Sequence, residues 1–106
     1  MIENNKLQDL SSVKSKFIYK VERGDNLKSI ADKFHTSQHA LIVLNNLEDE
    51  LLEGEYILIE FIEGDEYIVM PEDTIESISQ YDRDRMQKLL VKNKISSIHV
   101  GQKIYK

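Results

Sequence analysis

The chain has no cysteine, no tryptophan and a single proline. Without cysteine it can form neither a disulfide nor a metal site built from thiolates. Its apolar runs all fall far short of the roughly 20 residues that a membrane-spanning helix needs, so we predict no membrane span. The opening stretch MIENNKLQDLSS has neither the basic start nor the apolar core of a secretory signal. We therefore expect a cytoplasmic protein as the sequence stands.

Acidic side chains outnumber basic ones, which gives the 106-residue chain a formal net charge of −5. A protein that holds nucleic acid by its phosphates needs a basic face, so this balance speaks against nucleic acid as a partner. The excess lies in one half of the chain. Residues 17–60 hold four basic and nine acidic side chains, whereas residues 65–106 hold seven of each. We expect the two halves to offer different surfaces to a ligand.

Residues 19–45 have the pattern of a strand followed by two short helices. Tyr19 and Val21 alternate with polar residues, as in a strand with one buried face, and Gly24 ends that strand. Asp25 and Asn26 are both good helix N-caps. An apolar stripe with helical spacing follows, made of Leu27, Ile30, Ala31 and Phe34. A second helix, capped by Ser37, would turn three residues inward: Ala40, Leu41 and Leu44.

The second half of the chain repeats the first. Gly54 supplies the turn into an apolar strand at residues 56–59, and the pattern then starts again. A shift of 48 positions aligns Tyr19 with Tyr67, Val21 with Val69, Asp25 with Asp73, Leu27 with Ile75, Ile30 with Ile78, Leu41 with Leu89, Asn45 with Asn93 and Leu47 with Ile95. Self-similarity at a fixed period indicates one small unit built twice.

Two loops of the second copy depart from the first. Glu72, preceded by Pro71, stands where the first copy has Gly24. Since glutamate does not accept a positive φ as cheaply as glycine, we expect this loop to take another shape. Asp73 with Glu76 would start the next helix as a capping-box-like pair. Tyr81 falls one place away from the position of Phe34, so we expect the loop between the helices to be rebuilt.

The first copy resembles the lysin motif, or LysM, in the identity and spacing of ten residues: Tyr19, Val21, Gly24, Asp25, Leu27, Ile30, Ala31, Phe34, Leu41 and Asn45. The resemblance implies an α+β fold of two βααβ modules, each a two-stranded antiparallel sheet covered by two short helices. Module 1 would cover residues 17–60 and a diverged module 2 residues 67–106, joined by a short connector at residues 61–66. Residues 1–16 would form a tail, either frayed or a short helix.

The resemblance also implies a ligand. LysM modules bind N-acetylglucosamine polymers such as peptidoglycan and chitin in a shallow groove between the loop after the first strand and the loop after the second helix. The implied ligand-binding residues of module 1 are Gly24, Asp25, Asn26 and Leu27, facing Asn45, Asn46, Leu47 and Glu48. Those of module 2 are Glu72, Asp73, Thr74 and Ile75, facing Asn93, Lys94, Ile95 and Ser96.

Each of these residue types also has a structural interpretation. The aspartates are helix caps, and the asparagines end helices and can fix the following loop. Leu27 and Ile75 fall on core positions. A groove of this kind would be built mainly from residues that the fold needs in any case.

We predict no catalytic activity. The carboxylates are scattered at surface-type spacings, and none stands in an apolar setting that would tune it for acid or base work. His35 and His39 are four residues apart, but a helix break is expected between them at Thr36 and Ser37, so we predict no metal and no cofactor.

Two functions stay open. The first is a non-catalytic binder of peptidoglycan or chitin that uses two sites at once, with cell-wall or spore association. The second is an intracellular protein-interaction and assembly module without sugar binding, of the kind found in spore coats or phage-tail-like baseplates. The acidic residues 48–50 and the basic pair Arg83 and Arg85 motivate the second hypothesis. The partner would be a glycan or a protein, and the chain a monomer or a weak homodimer.

Overall fold

The computed structural model describes residues 16–106, which divide into two compact units. The first unit ends at Phe61, and the second covers Ile62–Lys106. The interpretation of residues 1–15 as a frayed tail or short helix lies outside the described residues. Within residues 16–106, no helix combines the length and the hydropathy that crossing a membrane requires.

Both units have the element order strand, helix, helix, strand. The first unit contains β1 (Lys16–Lys20), α1 (Leu27–Lys33), α2 (Gln38–Asn45) and β2 (Tyr56–Glu60). The second contains β3 (Glu66–Ile68), α3 (Ile75–Ile78), α4 (Arg83–Asn93) and β4 (Lys103–Tyr105). β1 pairs only with β2 and β3 only with β4, antiparallel in both sheets. The predicted α+β fold of two βααβ modules is therefore confirmed.

The first unit packs both helices against one face of its sheet. Ile57 and Ile59 of β2 are buried, whereas Ile18 and Tyr56 on the other face are exposed. This alternation follows from the period of two along a strand. The buried core consists of Val21, Ile30, Ala31, Leu41, Ile57 and Ile59. The helix positions in this set are those that the apolar stripe predicted.

The second unit has a smaller core of the same design. Val69, Leu89 and Ile104 are buried in it, and Ile75 and Ile78 pack against them while remaining half exposed. α3 has only four residues and buries none of them. The predicted inward positions Leu27, Ile30 and Leu41 and their counterparts in the repeat all belong to the two cores, with Leu27, Ile75 and Ile78 at the edge.

The first helix of each unit begins one residue later than an aspartate cap would place it. Asn26, not Asp25, is the N-cap of α1. Its side chain accepts from the N–H of Ser29, and the Ser29 hydroxyl accepts from the N–H of Asn26. Asp25 is an equally good cap by type, but its carboxylate is already held by Tyr19. The prediction of Asp25 as a cap is wrong.

α3 repeats this arrangement with different residues. Thr74 is its N-cap and Ser77 completes the capping box, so the predicted pair of Asp73 and Glu76 is wrong. The Asp73 carboxylate is held by Tyr67 instead. The prediction of Ser37 as the cap of α2 is confirmed, because its side chain accepts from the N–H of Ala40 at 3.0 Å.

The loop after β3 keeps the hydrogen bonding of its counterpart although its glycine is gone. Gly24 has a φ of +88°, whereas Glu72 is not among the residues with positive φ. Even so, the N–H of Asp25 donates to the carbonyl of Glu22 and that of Asp73 to the carbonyl of Met70, both at 3.0 Å. The expected change of shape is therefore limited to the φ angle at residue 72, and the hydrogen bond that closes the turn is kept.

The connection between helices is rebuilt in the second unit, as predicted. In the first unit His35 alone takes a positive φ there, while Phe34 packs on the core. In the second unit Gln80 and Tyr81 both take positive φ. Tyr81 is 79% exposed, so it does not replace Phe34 in the core.

Candidate functional site

The two loops of the predicted groove lie side by side in the first unit. One covers residues 21–26 between β1 and α1, and the other covers residues 46–55 between α2 and β2. β1 ends at Lys20, earlier than Gly24, but the backbone of Val21 still donates to Glu55 and accepts from Gly54, each at 2.8 Å. These bonds join the start of the first loop to the end of the second. The predicted turn at Gly54 is confirmed by them.

The second unit ties its loops together in the same way. The N–H of Val69 donates to the carbonyl of Gln102 at 2.9 Å, and the N–H of Gly101 donates to the carbonyl of Val69 at 2.8 Å. Because the joint is made by backbone groups, it survives the sequence differences between the units. Both units therefore hold a pair of adjacent loops where a groove was predicted.

Asp25 closes the first loop through its side chain. Its Oδ2 accepts from the hydroxyl of Tyr19 at 2.6 Å and from the N–H of Glu22 at 2.8 Å. The hydrogen bond from Tyr19 holds the pKa of Asp25 below its usual range, with help from the N–H of Glu22. The same bond raises the pKa of Tyr19 to about 12. At neutral pH the loop thus contains a fixed carboxylate bonded to a neutral phenol.

The second unit repeats this tyrosine–aspartate pair. The hydroxyl of Tyr67 donates to Oδ2 of Asp73, which also accepts from the N–H of Met70 at 2.7 Å. The bond from Tyr67 lowers the pKa of Asp73, and the bond to Asp73 raises the pKa of Tyr67. The sequence prediction missed both pairs. The available signal was a tyrosine six residues before an aspartate, recurring at the repeat period.

Asn45 joins the end of α2 to the middle of β2. Its Nδ2 donates to the carbonyls of Leu41 and Leu58 at 3.0 and 2.8 Å, and its Oδ1 accepts from the N–H of Leu58 at 2.7 Å. Both side-chain N–H groups are therefore committed within the protein. The structural interpretation of Asn45 is confirmed, with the closing strand rather than the next loop as the element that it fixes.

Asn93 makes the equivalent bonds in a fully buried setting. Its Nδ2 donates to the carbonyls of Leu89 and Tyr105 at 2.8 and 2.9 Å, and its Oδ1 accepts from the N–H of Tyr105 at 2.8 Å. The residue is only 1% exposed, whereas Asn45 is half-buried. Asn93 therefore ties the end of α4 to β4 from inside the core.

The residue after each asparagine turns the chain away from the helix. Asn46 and Lys94 are the C-caps of α2 and α4, and both take the left-handed conformation. The next N–H groups, of Leu47 and Ile95, donate back to the helix at 3.0 Å. The side chains of Asn46 and Lys94 thus stand at the start of the second loop of each unit.

The two predicted sites differ in how open they are. In the first unit Gly24, Asn26, Asn46 and Glu48 are exposed. Their neighbours Asp25, Leu27, Asn45 and Leu47 are half-buried. In the second unit Glu72, Thr74 and Ser96 are exposed, Asp73, Ile75, Lys94 and Ile95 are half-buried, and Asn93 is buried.

An open depression of about 690 Å³ lies along the first loop of the first unit. It is bounded by Lys20, Val21, Glu22 and Arg23 on one side and by Glu53 and Gly54 on the other. Val21 and Gly54 were singled out from the sequence as a strand and a turn residue, but the charged residues were not, because they have the composition of an ordinary surface turn. The depression places four charged side chains beside the predicted groove: Lys20, Glu22, Arg23 and Glu53.

The histidines do not form a metal site. His35 stacks on Phe61 with ring centroids 4.8 Å apart, and His39 lies on α2 beyond the cap at Ser37. Across residues 16–106, no group of three or more histidine, cysteine, aspartate or glutamate side chains is arranged to hold a metal ion.

Comparison with known proteins gives a family match. The model of the LysM domain family matches residues 19–53 and 67–105. A search of curated proteins gave no match. The two matched segments lie in the two units, so the predicted tandem repeat is confirmed.

Solved structures give a weaker likeness. The chain is 30% identical to the spore cortex-lytic enzyme SleL of Bacillus cereus over 85% of its own length and 22% of that chain, with a TM-score of 0.42. It is 28% identical to SleL of Bacillus megaterium QM B1551 over 87% of its own length and 22% of that chain, with a TM-score of 0.41. The chain thus spans about a fifth of these enzymes. At such TM-scores the likeness supports no conclusion about this protein.

Proposed function

This chain belongs to the LysM domain family, and from that premise we propose that its first unit binds polymers of N-acetylglucosamine. LysM domains are binding modules, and the proposed function is accordingly non-catalytic. The proposed contact residues are Gly24, Asp25, Asn26, Leu27, Asn46, Leu47 and Glu48. Asn45 belongs to this site as a supporting residue that ties the end of α2, where the second loop begins, to β2, because its side-chain N–H groups are already bonded.

One observation carries this proposal. The family match to residues 19–53 includes both loops of the first unit, and those loops are tied to each other by backbone bonds. A preformed pair of loops costs little ordering on binding, which favours affinity. The exposed backbone of Gly24 offers amide groups to an N-acetyl substituent, and the residues of the second loop add exposed Asn46 and a half-buried apolar contact from Leu47.

The charge of the first unit favours an uncharged sugar chain. Glu48, itself a proposed contact, is followed directly by Asp49 and Glu50, and none of these three is in an ion pair with a described residue. Like charges repel an anionic polymer over distances comparable to the Debye length. We therefore propose that chitin-type oligomers, which are neutral, bind more tightly than glycans carrying free carboxylates.

The second unit is proposed as the weaker site. Its counterpart of Gly24 is Glu72, so a charged side chain projects where the first unit has open backbone. Proposed contacts there are Asp73, Thr74, Ile75, Lys94 and Ile95, with Asn93 acting from the core. Two unequal sites on one chain still raise the apparent affinity for a long polymer, because the second contact is intramolecular.

Titration of the full chain with chitotetraose, followed by amide chemical shifts, tests the proposal. We expect the largest shifts at residues 24–27 and 46–48, and no comparable shifts with cellotetraose, which lacks the N-acetyl groups. Absence of shifts at about 5 mM ligand would remove the proposal. Even a weak site with a Kd near 1 mM, which corresponds to a binding free energy of about −4 kcal/mol, would be mostly occupied at that concentration.

Two leucines of the same loop provide a matched pair of variants. Leu47 lies in the proposed site and Leu52, which is 66% exposed, lies outside it. Leu47→Ala should weaken chitotetraose binding roughly tenfold by loss of an apolar contact, whereas Leu52→Ala should leave it unchanged. If the chain instead binds none of the glycans tested but captures one protein stoichiometrically from cell lysate, the protein-assembly function replaces glycan binding as the proposed function.

A further inference from the structure

The second unit contains a pocket that the proposed sugar site does not use. Its volume is about 310 Å³, within the range of small-ligand sites. The floor is apolar and includes Ile78 and Leu89. Four cationic residues line it: Arg85, Lys88, Lys92 and Lys106. We call it the α4 basic pocket, after the helix that supplies three of these residues.

The α4 basic pocket is separate from the proposed sugar contacts. Those contacts lie in the loops after β3 and after α4, whereas this pocket is bounded by the connection between α3 and α4, by one stripe of α4 and by the residue after β4. It shares no lining residue with them. Ser79 at its edge is 3% exposed and directs its hydroxyl to the carbonyl of Ile75, so the wall is a fixed part of the fold.

The three cations on α4 carry the charge of the pocket, because Lys106 already has partners. Its Nζ lies 4.2 Å from the centroid of the Tyr67 ring, and it interacts electrostatically with the Asp73 carboxylate. Neither the ion pair of Lys16 with Glu60 nor that of Lys28 with Asp32 involves α4. No acidic side chain lines the pocket. The two acids nearest along α4 are Asp82, whose carboxylate caps the helix, and Asp84, which is exposed. A unit with eight acidic and seven basic residues therefore concentrates three positive charges on one stripe of α4.

This arrangement costs stability when the pocket is empty. Arg85, Lys88 and Lys92 stand at i, i+3 and i+7, so they share one face of α4. Like charges three or four residues apart on a helix repel each other and destabilise it. A bound anion would reverse the sign of that contribution.

One cation is already held in position. Nη1 of Arg85 donates to Oε1 of Gln80, a pocket residue that takes a positive φ. This bond restrains the guanidinium at the rim and leaves most of its five donors for a ligand. A planar guanidinium with ammonium groups beside it matches the geometry and the double charge of a phosphate group.

We propose that the α4 basic pocket binds a phosphate monoester, with the phosphate on Arg85, Lys88 and Lys92 and the esterified sugar or polyol on the apolar floor. A carboxylate would neutralise only one of the three charges on α4, whereas a phosphate monoester carries about −1.5 to −2 at neutral pH and would neutralise more of them. The volume of the pocket exceeds that of a phosphate ion and leaves room for the attached group.

Titration of the full chain with inorganic phosphate, glycerol 1-phosphate and acetate tests this proposal by amide shifts. We expect saturable shifts at Ser79, Gln80 and Arg85 with both phosphates, stronger with the ester, and weak ones with acetate. Shifts with glycerol 1-phosphate alone would support the proposal and assign the ligand as an ester. Shifts scattered over the lysines of both units, or no shift with either phosphate compound at about 10 mM, would overturn it.

Matched variants separate the pocket from general attraction to positive charge. Arg85→Gln and Lys88→Gln should each raise the Kd for glycerol 1-phosphate about tenfold, the expected loss for one charged hydrogen bond. Lys28→Gln makes the same charge change on the exposed face of α1 and should leave the Kd unchanged. Equal effects of all three variants would contradict the proposal. Binding of chitotetraose is expected to be unaffected by Arg85→Gln, so failure of one function does not imply failure of the other.

Discussion

The two bridging asparagines allow a quantitative test of how each unit is held together. Asn45 and Asn93 make the same three hydrogen bonds, from the last turn of a helix to one residue of the closing strand. They differ in burial, since Asn93 is 1% exposed and Asn45 is half-buried. Replacing each by alanine therefore removes equal bonding in two different environments.

The expected costs follow from that difference. In Asn93→Ala three bonds are lost and the N–H and carbonyl of Tyr105 stay buried without water, so at about 1 kcal/mol per bond the second unit loses about 3 kcal/mol. In Asn45→Ala water can reach the backbone of Leu58 and replace much of the bonding. We expect about half that cost, roughly 1.5 kcal/mol, in the first unit.

Amide hydrogen exchange is the appropriate assay, because it reports opening of each unit separately. The slowest amides of the second unit should lose protection by about a hundredfold in Asn93→Ala, which is the factor for roughly 3 kcal/mol, while those of the first unit stay unchanged. Equal costs at the two positions, or a cost below about 1 kcal/mol for Asn93→Ala, would refute the reasoning from burial.

Three further predictions concern the loops. The neutral phenol of Tyr19 stabilises the first unit fully at pH values below about 10, the ordinary pKa of tyrosine, and this contribution is lost as the pH rises through about 12. Asp25→Asn should return the pKa of Tyr19 toward its ordinary value, and the ¹³Cζ chemical shift of Tyr19 measures that pKa. Gly64→Ala should destabilise the second unit by about 3 kcal/mol or more, since φ is +121° and a Cβ would overlap the carbonyl oxygen of Lys106. Gly101→Ala, at φ +86° in open space, should lower the free energy of unfolding by only about 1 kcal/mol. Urea denaturation measures the cost of both glycine substitutions. Thr74→Ala should cost about 1 kcal/mol by loss of the α3 cap, and Thr74→Ser should restore it.

Apolar periodicity predicted the fold well because burial leaves a direct mark on a sequence. Ile30, Leu41 and Leu89 are buried where the stripes placed them, and the repeat period correctly paired the two units. A periodic apolar pattern depends only on which face of one helix or strand is buried, so it can be seen in a single sequence. The strand and helix bounds followed to within a few residues.

Polar roles were harder to predict, because they depend on which of several capable partners is near in space. Asp25 and Asn26 are both good caps, and only the position of the Tyr19 hydroxyl decides that Asp25 is occupied elsewhere. The sequence indicates that Asn45 ends a helix. It does not indicate that Asn45 bonds to Leu58, because the two residues are separated by a loop whose path cannot be predicted from the sequence. The α4 basic pocket was missed for the same reason, since three of its cations share one face of α4 but the residues that close the pocket, such as Ile78 and Ser79, come from another part of the chain.

The central claim is that the two loops of the first unit together receive an N-acetylglucosamine chain. Intermolecular nuclear Overhauser effects from the acetyl methyl groups of chitotetraose to the protein amides test it most directly. The account predicts contacts to at least one of residues 24–27 and, in the same complex, to at least one of residues 46–48. Contacts to only one loop, or to the outer face of the sheet around Ile18 and Tyr56, would contradict it.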